Sequence, residues 1–289
     1  MKIVVTPPFT EEQKALILSA AERPEDVIFC LKSDMTEELL READVFLGNL
    51  ESPGQLEKTE HLKWIQLNNA GTEGYCVPGR LPQGAVLSNA TGAYGLAISE
   101  HMLACLFMLR KKLNLYYANQ LQSQWKSEGH VGVIQGTTVL VIGLGDIGTC
   151  FASKMKALGC TTIGVKRRVG EKPDCVDGLY GMEELDSLLP RADVVALSLP
   201  GNPSTYHTLN RERISLLSPN AIVLNVGRGT AVDTDALSDA LYAGKIAGAA
   251  LDVTDPEPLP ADHPLWKAPN AIITPHISGG YALPETLQQ

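Results

Sequence analysis

Two series of short apolar runs stand out in the pattern of hydrophobic and polar positions, and longer segments of helical character separate the runs. The first series predicts five strands, at residues 3–5, 27–30, 45–48, 64–67 and 85–88. The second series predicts six strands, which begin at Val139 and continue at residues 161–165, 194–199, 221–226, 246–251 and 271–274. Because strands that alternate with helices form parallel sheets covered by those helices, the pattern predicts two α/β domains.

A single long helix is predicted between the two series, at residues 92–113. Apolar side chains recur there at helical spacing, at Leu96, Leu103, Leu106, Phe107 and Leu109. This helix would bridge the two domains. The proline-rich segment at residues 255–260 lies within the second series and predicts a shaped loop of that domain.

A glycine-rich hexapeptide, GLGDIG at residues 143–148, follows the first apolar run of the second series and opens a helical segment at residues 149–158. In dinucleotide-binding folds the first glycine of such a motif forms a tight turn. The second lets the backbone approach a pyrophosphate, and the third permits close helix packing. An ordinary strand–turn–helix corner is the alternative. The position at the head of a six-strand series favours the dinucleotide site.

A basic tripeptide, Lys166, Arg167 and Arg168, follows the next predicted strand. Dinucleotide-binding folds place an acid for the ribose hydroxyls at this point. A carboxylate repels a 2′-phosphate, whereas cations pair with it. The tripeptide therefore favours NADP over NAD, and a solvated basic strand end is the alternative.

The composition is that of a globular protein, with 44% hydrophobic and 20% charged residues among 289. The formal net charge of −9 argues against nucleic acid as a partner, because phosphate binding needs a basic face. No run is long enough to span a bilayer and the first residues read as a strand, so no membrane partner and a cytoplasmic location are expected. The six cysteines contain no CxxC pair, which predicts reduced thiols, and no metal site is expected.

Three reactive side chains, Arg228, Glu257 and His276, follow predicted strands of the second series, where open α/β sheets bind ligands. An arginine can clamp a carboxylate, and a histidine can exchange a proton with an oxygen. A glutamate can hold an imidazole and favour its charged form. Each also has a structural alternative: a surface arginine, a structural histidine and an acid in a proline-rich turn. Their common position behind a dinucleotide motif favours a catalytic set.

The chain resembles the D-isomer specific 2-hydroxyacid dehydrogenase family from about residue 62 to residue 280. The stretches that carry the resemblance are WIQLNNAGTE at 64–73, SNATGAYG at 88–95, ISEH at 98–101, LSLP at 197–200 with Thr205, NVGRG at 225–229, LDVTDPEP at 251–258 and TPHISGG at 274–280. Several independent motifs in this order are specific to the family, although they do not select a substrate.

The resemblance implies a doubly wound Rossmann cofactor domain at residues 93–276. It also implies a flavodoxin-like substrate domain at residues 1–92, to which residues 277–289 return. The implied reaction is hydride transfer between NADPH or NADH and a small 2-oxo acid, giving a D-2-hydroxy acid, or the reverse. The substrate would bind between the domains. A homodimer is also implied, with the helix at residues 92–113 near its interface.

The resemblance also assigns roles to individual residues. Arg228 would bind the carboxylate and keto oxygen, His276 would protonate that oxygen, and Glu257 would keep His276 protonated. The backbone N–H groups of Ala70 and Gly71 would receive the substrate carboxylate. The implied cofactor-binding residues are Gly143, Gly145, Asp146, Ile147, Gly148, Lys166, Arg167, Arg168, Leu199, Pro200, Thr205, Val226, Gly227, Asp252, His276 and Gly279.

Two departures from the family pattern accompany these expectations. Lys166 stands where the ribose-binding acid aligns, and only nine residues (289 − 280) follow Gly280, where the family normally returns through a long helix. That helix is therefore absent, or the sequence is incomplete.

Two rival functions share the fold. One is a nucleotide-sensing, co-repressor-like binding protein that keeps the same Arg, Glu and His. The other is a formate-type dehydrogenase, which is disfavoured because that group places Gln where Glu257 stands.

Overall fold

The structure, a computed structural model, describes residues 1 to 280. The chain divides into two compact units, of which unit 1 is Met1–Thr91 and unit 2 begins at Gly92. Each unit has its own sheet, and every strand pair in both sheets is parallel. The prediction of an α/β fold with two parallel sheets is confirmed.

Unit 1 contains a five-stranded sheet in the order β2-β1-β3-β4-β5, the strand order of flavodoxin-like folds. Its strands are β1 Ile3–Val5, β2 Val27–Phe29, β3 Val45–Leu47, β4 Trp64–Gln66 and β5 Val86–Ser88. Its helices are α1 Glu11–Ala20 and α2 Glu37–Glu42, with 3₁₀ turns at Pro24–Asp26, Lys32–Asp34 and Pro53–Lys58.

The core of unit 1 lies against one face of this sheet. Val4, Phe46 and Ile65 are fully buried on neighbouring strands at paired positions, so they point to the same face. Leu40 of α2 belongs to the same cluster. The α2 helix starts where it does because the Thr36 side chain accepts a hydrogen bond from the Leu39 amide.

Unit 2 contains a seven-stranded sheet in the order β12-β11-β10-β9-β6-β7-β8. Its strands are β6 Thr138–Ile142, β7 Thr161–Val165, β8 Gly178–Tyr180, β9 Val194–Leu197, β10 Ile222–Asn225, β11 Gly248–Leu251 and β12 Ala271–Ile273. Its helices are α3 Gly95–Arg110, α4 Leu113–Leu121, α5 Asp146–Ala157, α6 Leu185–Leu188, α7 Arg211–Ser215 and α8 Thr234–Tyr242. Its 3₁₀ turns are Met182–Glu184, Leu189–Arg191, Gly229–Ala231 and Pro264–Lys267. The first strand, β6, lies between β7 and β9, so the strand order reverses there, as in doubly wound folds.

Both faces of the second sheet are buried, which explains why its strands read as nearly continuous apolar runs. On β6, Val139 belongs to the cluster that includes Met102 of α3 and Phe151 of α5. The next residue, Leu140, belongs to the opposite cluster, which includes Leu237 of α8. Side chains alternate between faces along a strand, so each face recruits its own set of helices.

One prediction about unit 2 is wrong. The sheet has seven strands, because Gly178–Tyr180 adds an edge strand that was not predicted. The helix predicted at residues 92–113 is present as α3, Gly95–Arg110. It is followed by Lys112, which has a left-handed backbone, with φ of 55°. This backbone conformation interrupts the helical hydrogen bonding before α4 begins.

Domain bounds other than those of the two compact units stay a prediction. Residues 277–280 belong to unit 2, and residues 281–289, which were expected to return to the first domain, lie outside the described residues. Among the helices of residues 1–280, none combines the length and the apolar character that crossing a membrane requires.

Candidate active site

The segments with candidate chemistry in unit 2 follow β6, β7, β9, β10, β11 and β12. Because all seven strands are parallel, these segments leave the sheet at one edge, the edge of the strand carboxyl ends. The fold therefore gathers segments that are up to about 130 residues apart in the sequence.

The three glycines of the loop after β6 have different surroundings. Gly143 has φ of 98°, and Gly148 leaves no room for a side chain, because a Cβ there would lie 1.9 Å from the Gly143 carbonyl oxygen. A Cβ on Gly145 would meet nothing within 4 Å. Backbone conformation and packing within the protein thus explain why the first and third positions are glycine. The second borders open space, where a backbone can approach a phosphate.

The first turn of α5 offers backbone N–H groups to that space. Its N-cap residue, Gly145, supplies no capping side chain. The Asp146 carboxylate instead accepts a hydrogen bond of 2.7 Å from the Gly95 amide, at the start of α3. Uncapped amides at a helix N-terminus attract anions. The fit to a pyrophosphate therefore rests on the backbone of this turn, and the Asp146 side chain serves to join two helices.

Lys166, Arg167 and Arg168 follow β7, the strand beside β6. The backbone of Lys166 continues the sheet through a hydrogen bond of 3.2 Å to the Tyr180 carbonyl oxygen. The side chain of Lys166 is partly buried, whereas Arg167 and Arg168 are exposed. Within residues 1–280 no carboxylate forms an ion pair with any of the three. Their charges are thus available to an anionic ligand next to the glycine loop.

The loops after β9 and β10 pack closely on each other. A Cβ on Gly227 would lie 2.5 Å from the Leu199 amide nitrogen, so only glycine fits. Leu199 and Val226 are buried. The Thr205 hydroxyl donates to the Pro200 carbonyl oxygen at 2.6 Å. These contacts fix the shape of the loops at the centre of the edge.

Arg228 is held by a buried asparagine. Asn225, the last residue of β10, is fully buried. Its side chain donates to the Arg228 carbonyl oxygen at 3.0 Å and accepts from the Gly227 amide at 3.2 Å. The Arg228 guanidinium also donates to the Gly227 carbonyl oxygen at 2.8 Å. The sequence marked Arg228 but gave Asn225 no role, because its partners become visible only in the folded loop.

His276 and Glu257 form a hydrogen bond, with 2.6 Å between Nδ1 and Oε1. Their side chains are 49% and 41% exposed, so the pair is open to small molecules. Since a carboxylate can only accept, Nδ1 carries a proton, and the pair leaves Nε2 as the free ring atom. No hydrogen bond to Nε2 forms within the described part of the chain.

Asp252 anchors the segment that carries His276. It is 3% exposed, yet its carboxylate accepts from Thr274 Oγ1 at 2.5 Å and from the Ile277 and Ser278 amides at 2.9 Å each. Burial is the largest single effect and raises the pKa of Asp252, but the hydrogen bonds from Ser278, Thr274 and Ile277 together outweigh it and lower the pKa. Asp252 is therefore ionised, and each bond to it is charge-assisted.

Gly279, at the end of the same segment, packs against an aromatic ring. A Cβ there would lie 3.1 Å from Tyr94 Cδ1. A side chain at this position would therefore press on the Tyr94 ring. A cofactor contact of Gly279 stays a prediction.

In unit 1, Ala70 and Gly71 follow β4 at the carboxyl edge of the first sheet. The Asn89 side chain donates to the Ala70 carbonyl oxygen at 2.7 Å, and the Ala90 amide donates to the Asn69 carbonyl oxygen at 3.0 Å. Neither backbone N–H of the pair has a hydrogen-bond acceptor among residues 1–280. The loop is thus fixed from one side and keeps two donors for an anion.

Comparison with known proteins identifies the family. Residues 103–278 match the family model described as "D-isomer specific 2-hydroxyacid dehydrogenase, NAD binding domain". A D-3-phosphoglycerate dehydrogenase from Methanocaldococcus jannaschii is 31% identical over 280 residues, which are 96% of this chain and 53% of that protein. The chain thus spans about half the length of that relative.

Two solved structures are similar over nearly the whole chain. A D-isomer specific 2-hydroxyacid dehydrogenase family protein from Aeromonas salmonicida has 33% identity and a TM-score of 0.84, and covers 99% of this chain and 92% of its own. An NADPH-dependent glyoxylate/hydroxypyruvate reductase from Sinorhizobium meliloti has 26% identity and a TM-score of 0.82, with coverage of 99% and 92%.

The chain belongs to the D-isomer specific 2-hydroxyacid dehydrogenase family, which confirms the resemblance seen in the sequence. Members of this family are NAD(P)-dependent 2-hydroxyacid dehydrogenases, and the matched region is an NAD-binding domain.

Proposed function

We propose that the protein reduces a small 2-oxo acid to the D-2-hydroxy acid with NADPH, or catalyses the reverse reaction. The observation that carries the proposal is the His276–Glu257 pair, at 2.6 Å, on the same sheet edge as the glycine loop. An imidazole held by a carboxylate is a proton donor and acceptor near neutral pH. A dehydrogenase of 2-hydroxy acids needs this group beside its dinucleotide.

The steric pattern of the glycine loop fits a dinucleotide, because Gly145 borders open space beside the uncapped amides of α5. The residues proposed to hold it are Gly143, Gly145, Asp146, Ile147, Gly148, Lys166, Arg167, Arg168, Leu199, Pro200, Thr205, Val226, Gly227, Asp252, His276 and Gly279. When bound, the reduced nicotinamide supplies the hydride.

Substrate binding is assigned to one guanidinium group and two backbone amides. The Arg228 guanidinium pairs with the carboxylate and keto oxygen of the 2-oxo acid, and the Ala70 and Gly71 amides receive the carboxylate. His276 gives its Nε2 proton to the keto oxygen as that oxygen becomes a hydroxyl. Glu257 stabilises the charged imidazole before this transfer. In the reverse direction the neutral imidazole takes the hydroxyl proton.

A substrate panel tests the proposal. Glyoxylate, hydroxypyruvate, pyruvate and branched 2-oxo acids are each assayed with NADPH and with NADH, and the configuration of the product is determined by chiral chromatography. We expect turnover with at least one acid and a D product. Tight nucleotide binding without turnover of any acid would refute the enzyme and support the nucleotide-sensing binding protein.

Arg228→Lys is expected to raise KM for the 2-oxo acid and to lower kcat. Lysine keeps the charge but loses the planar fork, so both attraction and orientation suffer. The loss of one charge-assisted hydrogen bond corresponds to about 10- to 100-fold in kcat/KM. Arg211→Lys is the matched control, because Arg211 pairs with Asp239 on the exposed surface of α7 and α8. A change in nucleotide affinity alone would make Arg228 a cofactor residue.

Glu257→Gln is expected to lower kcat for reduction about fivefold or more and to leave the Kd of NADPH close to that of the wild type. The glutamine oxygen can still accept the Nδ1 proton of His276, but it carries no charge to stabilise the imidazolium that donates to the substrate. The measurements are kcat for the best 2-oxo acid and the Kd of NADPH. An unchanged kcat would contradict the role of Glu257.

We also propose that the protein is a homodimer, with α3 near its interface. An exposed apolar stripe on α4 and the segment after it supports this proposal; its members are Leu113, Tyr117, Leu121 and Trp125. Contiguous exposed apolar surface marks interaction sites. Light scattering is expected to give twice the chain mass of 31.1 kDa. The cytoplasmic location expected from the sequence stays a prediction.

A further inference from the structure

Helix α3 contributes a histidine to the network that supports the candidate site. His101 Nε2 lies 3.2 Å from Thr274 Oγ1 and 3.5 Å from Cys105 Sγ. Thr274 Oγ1 in turn lies 2.5 Å from Asp252 Oδ1. A chain of hydrogen bonds thus leads from α3 to the carboxylate that anchors the His276 segment.

The direction of each bond follows from the number of protons. An ionised carboxylate can only accept, so Thr274 must donate its single hydroxyl proton to Asp252. The same oxygen then has only lone pairs for His101. His101 must therefore be the donor, which means that its Nε2 carries a proton.

Cys105 and His101 lie one helical turn apart, and a thiol beside an imidazole can be an activated nucleophile. Burial first, and the negative charge of Asp252 second, raise the pKa of the Cys105 thiol to about 11. The thiol is therefore protonated at neutral pH and is a poor nucleophile. This excludes a cysteine–histidine catalytic pair and leaves His101 with its donor role towards Thr274.

The segment at the other end of the chain of bonds is conformationally demanding. His276 has φ of 53°, in the left-handed region that a residue with a side chain rarely adopts. Its amide donates to the Asp252 carbonyl oxygen at 2.8 Å, and the next two amides donate to the Asp252 carboxylate. The place of Asp252 thus sets the place of the His276 imidazole.

We infer that His101 is a positioning residue of the candidate site. Its Nε2–H holds Thr274, and through Thr274 and Asp252 it fixes the backbone that aims His276. The kinetic part of this inference rests on the proposed function, whereas the proton on Nε2 does not.

Three substitutions at one position test the positioning role. Glutamine can place an amide N–H where Nε2 lies, asparagine reaches only the place of Nδ1, and leucine donates nothing. We expect His101→Leu and His101→Asn to lower kcat about fivefold, the typical effect of one hydrogen bond, with KM for the 2-oxo acid nearly unchanged. His101→Gln is expected to stay within about twofold of the wild type, because it restores that bond. Equal kcat in all four proteins, or equal loss in all three variants, would overturn the inference.

A readout without turnover separates this inference from the proposed function. Long-range ¹H–¹⁵N correlation spectra of the unaltered protein report which ring nitrogen of His101 carries the proton, after assignment by the His101→Gln spectrum. Protonation at Nε2 is expected, and protonation at Nδ1 alone would overturn the inference. If no 2-oxo acid were reduced, the proposed function would fail, and this spectrum would still decide the role of His101.

Discussion

His276→Ala is expected to lower kcat by about 100-fold or more, the usual contribution of a general acid. The variant removes the group that hands a proton to the keto oxygen and leaves the glycine loop after β6 untouched. The other residues proposed to hold the dinucleotide are unchanged, so its binding is expected to remain close to that of the wild type. The measurements are kcat for the best 2-oxo acid and the Kd of NADPH from its fluorescence.

The backbone at His276 requires a second variant. Alanine tolerates a φ of 53° less well than asparagine, which visits the left-handed region more readily. His276→Asn keeps the backbone conformation accessible and also lacks the acid, so it should lose as much activity as the alanine variant with less loss of stability. His61→Ala, at an exposed histidine of unit 1, is the control. Near-normal turnover of His276→Asn would refute the assignment of the proton donor.

The local pattern predicted most of the sheet because burial on both faces leaves a strong apolar signal. All six predicted strands of the second series are present, with ends that shift by at most two residues. The edge strand β8 was missed because it has three residues and begins with a glycine, so neither length nor alternation marks it. Helix α4 was missed, because the turn that separates it from α3 depends on the backbone of Lys112, which carries no sequence signal of its own.

The residues of the candidate site also divide into those that a local sequence pattern predicts and those that it does not. Arg228, Glu257 and His276 were predicted because side chains after parallel strands share one edge. The residues that hold them in place were not predicted, because the role of a buried polar residue depends on partners that are distant in the sequence. Thr274 lies 22 residues from Asp252 and 173 from His101 in the sequence, yet it bonds to both. No local pattern relates positions so far apart. The charge and burial of Asp252 are what make the network necessary.

Lys166→Asp is expected to reverse the cofactor preference. Lys166, Arg167 and Arg168 have no carboxylate partner within residues 1–280, so the wild type offers unpaired cations beside the glycine loop. One charge-assisted hydrogen bond contributes about 1.5–3 kcal/mol, and the wild type should bind NADPH about tenfold or more tightly than NADH. The substitution removes one cation and adds an acid that repels the 2′-phosphate and can accept from ribose hydroxyls. We expect the ratio of the two Kd values to change by about 100-fold.

Lys245→Asp is the matched control for this change of charge. Lys245 is exposed and lies between α8 and β11, so it is at the opposite edge of the same sheet. The Lys245→Asp substitution makes the same change in net charge at a distance from the glycine loop, so the ratio of the Kd values for NADPH and NADH should stay close to that of the wild type. Raising the salt concentration should weaken the preference of the wild type, since Arg167 and Arg168 are exposed and their attraction for a phosphate is screened. A preference of the wild type for NADH, or the same Kd ratio in Lys166→Asp, would refute the 2′-phosphate site and leave the dehydrogenase with NAD as its cofactor.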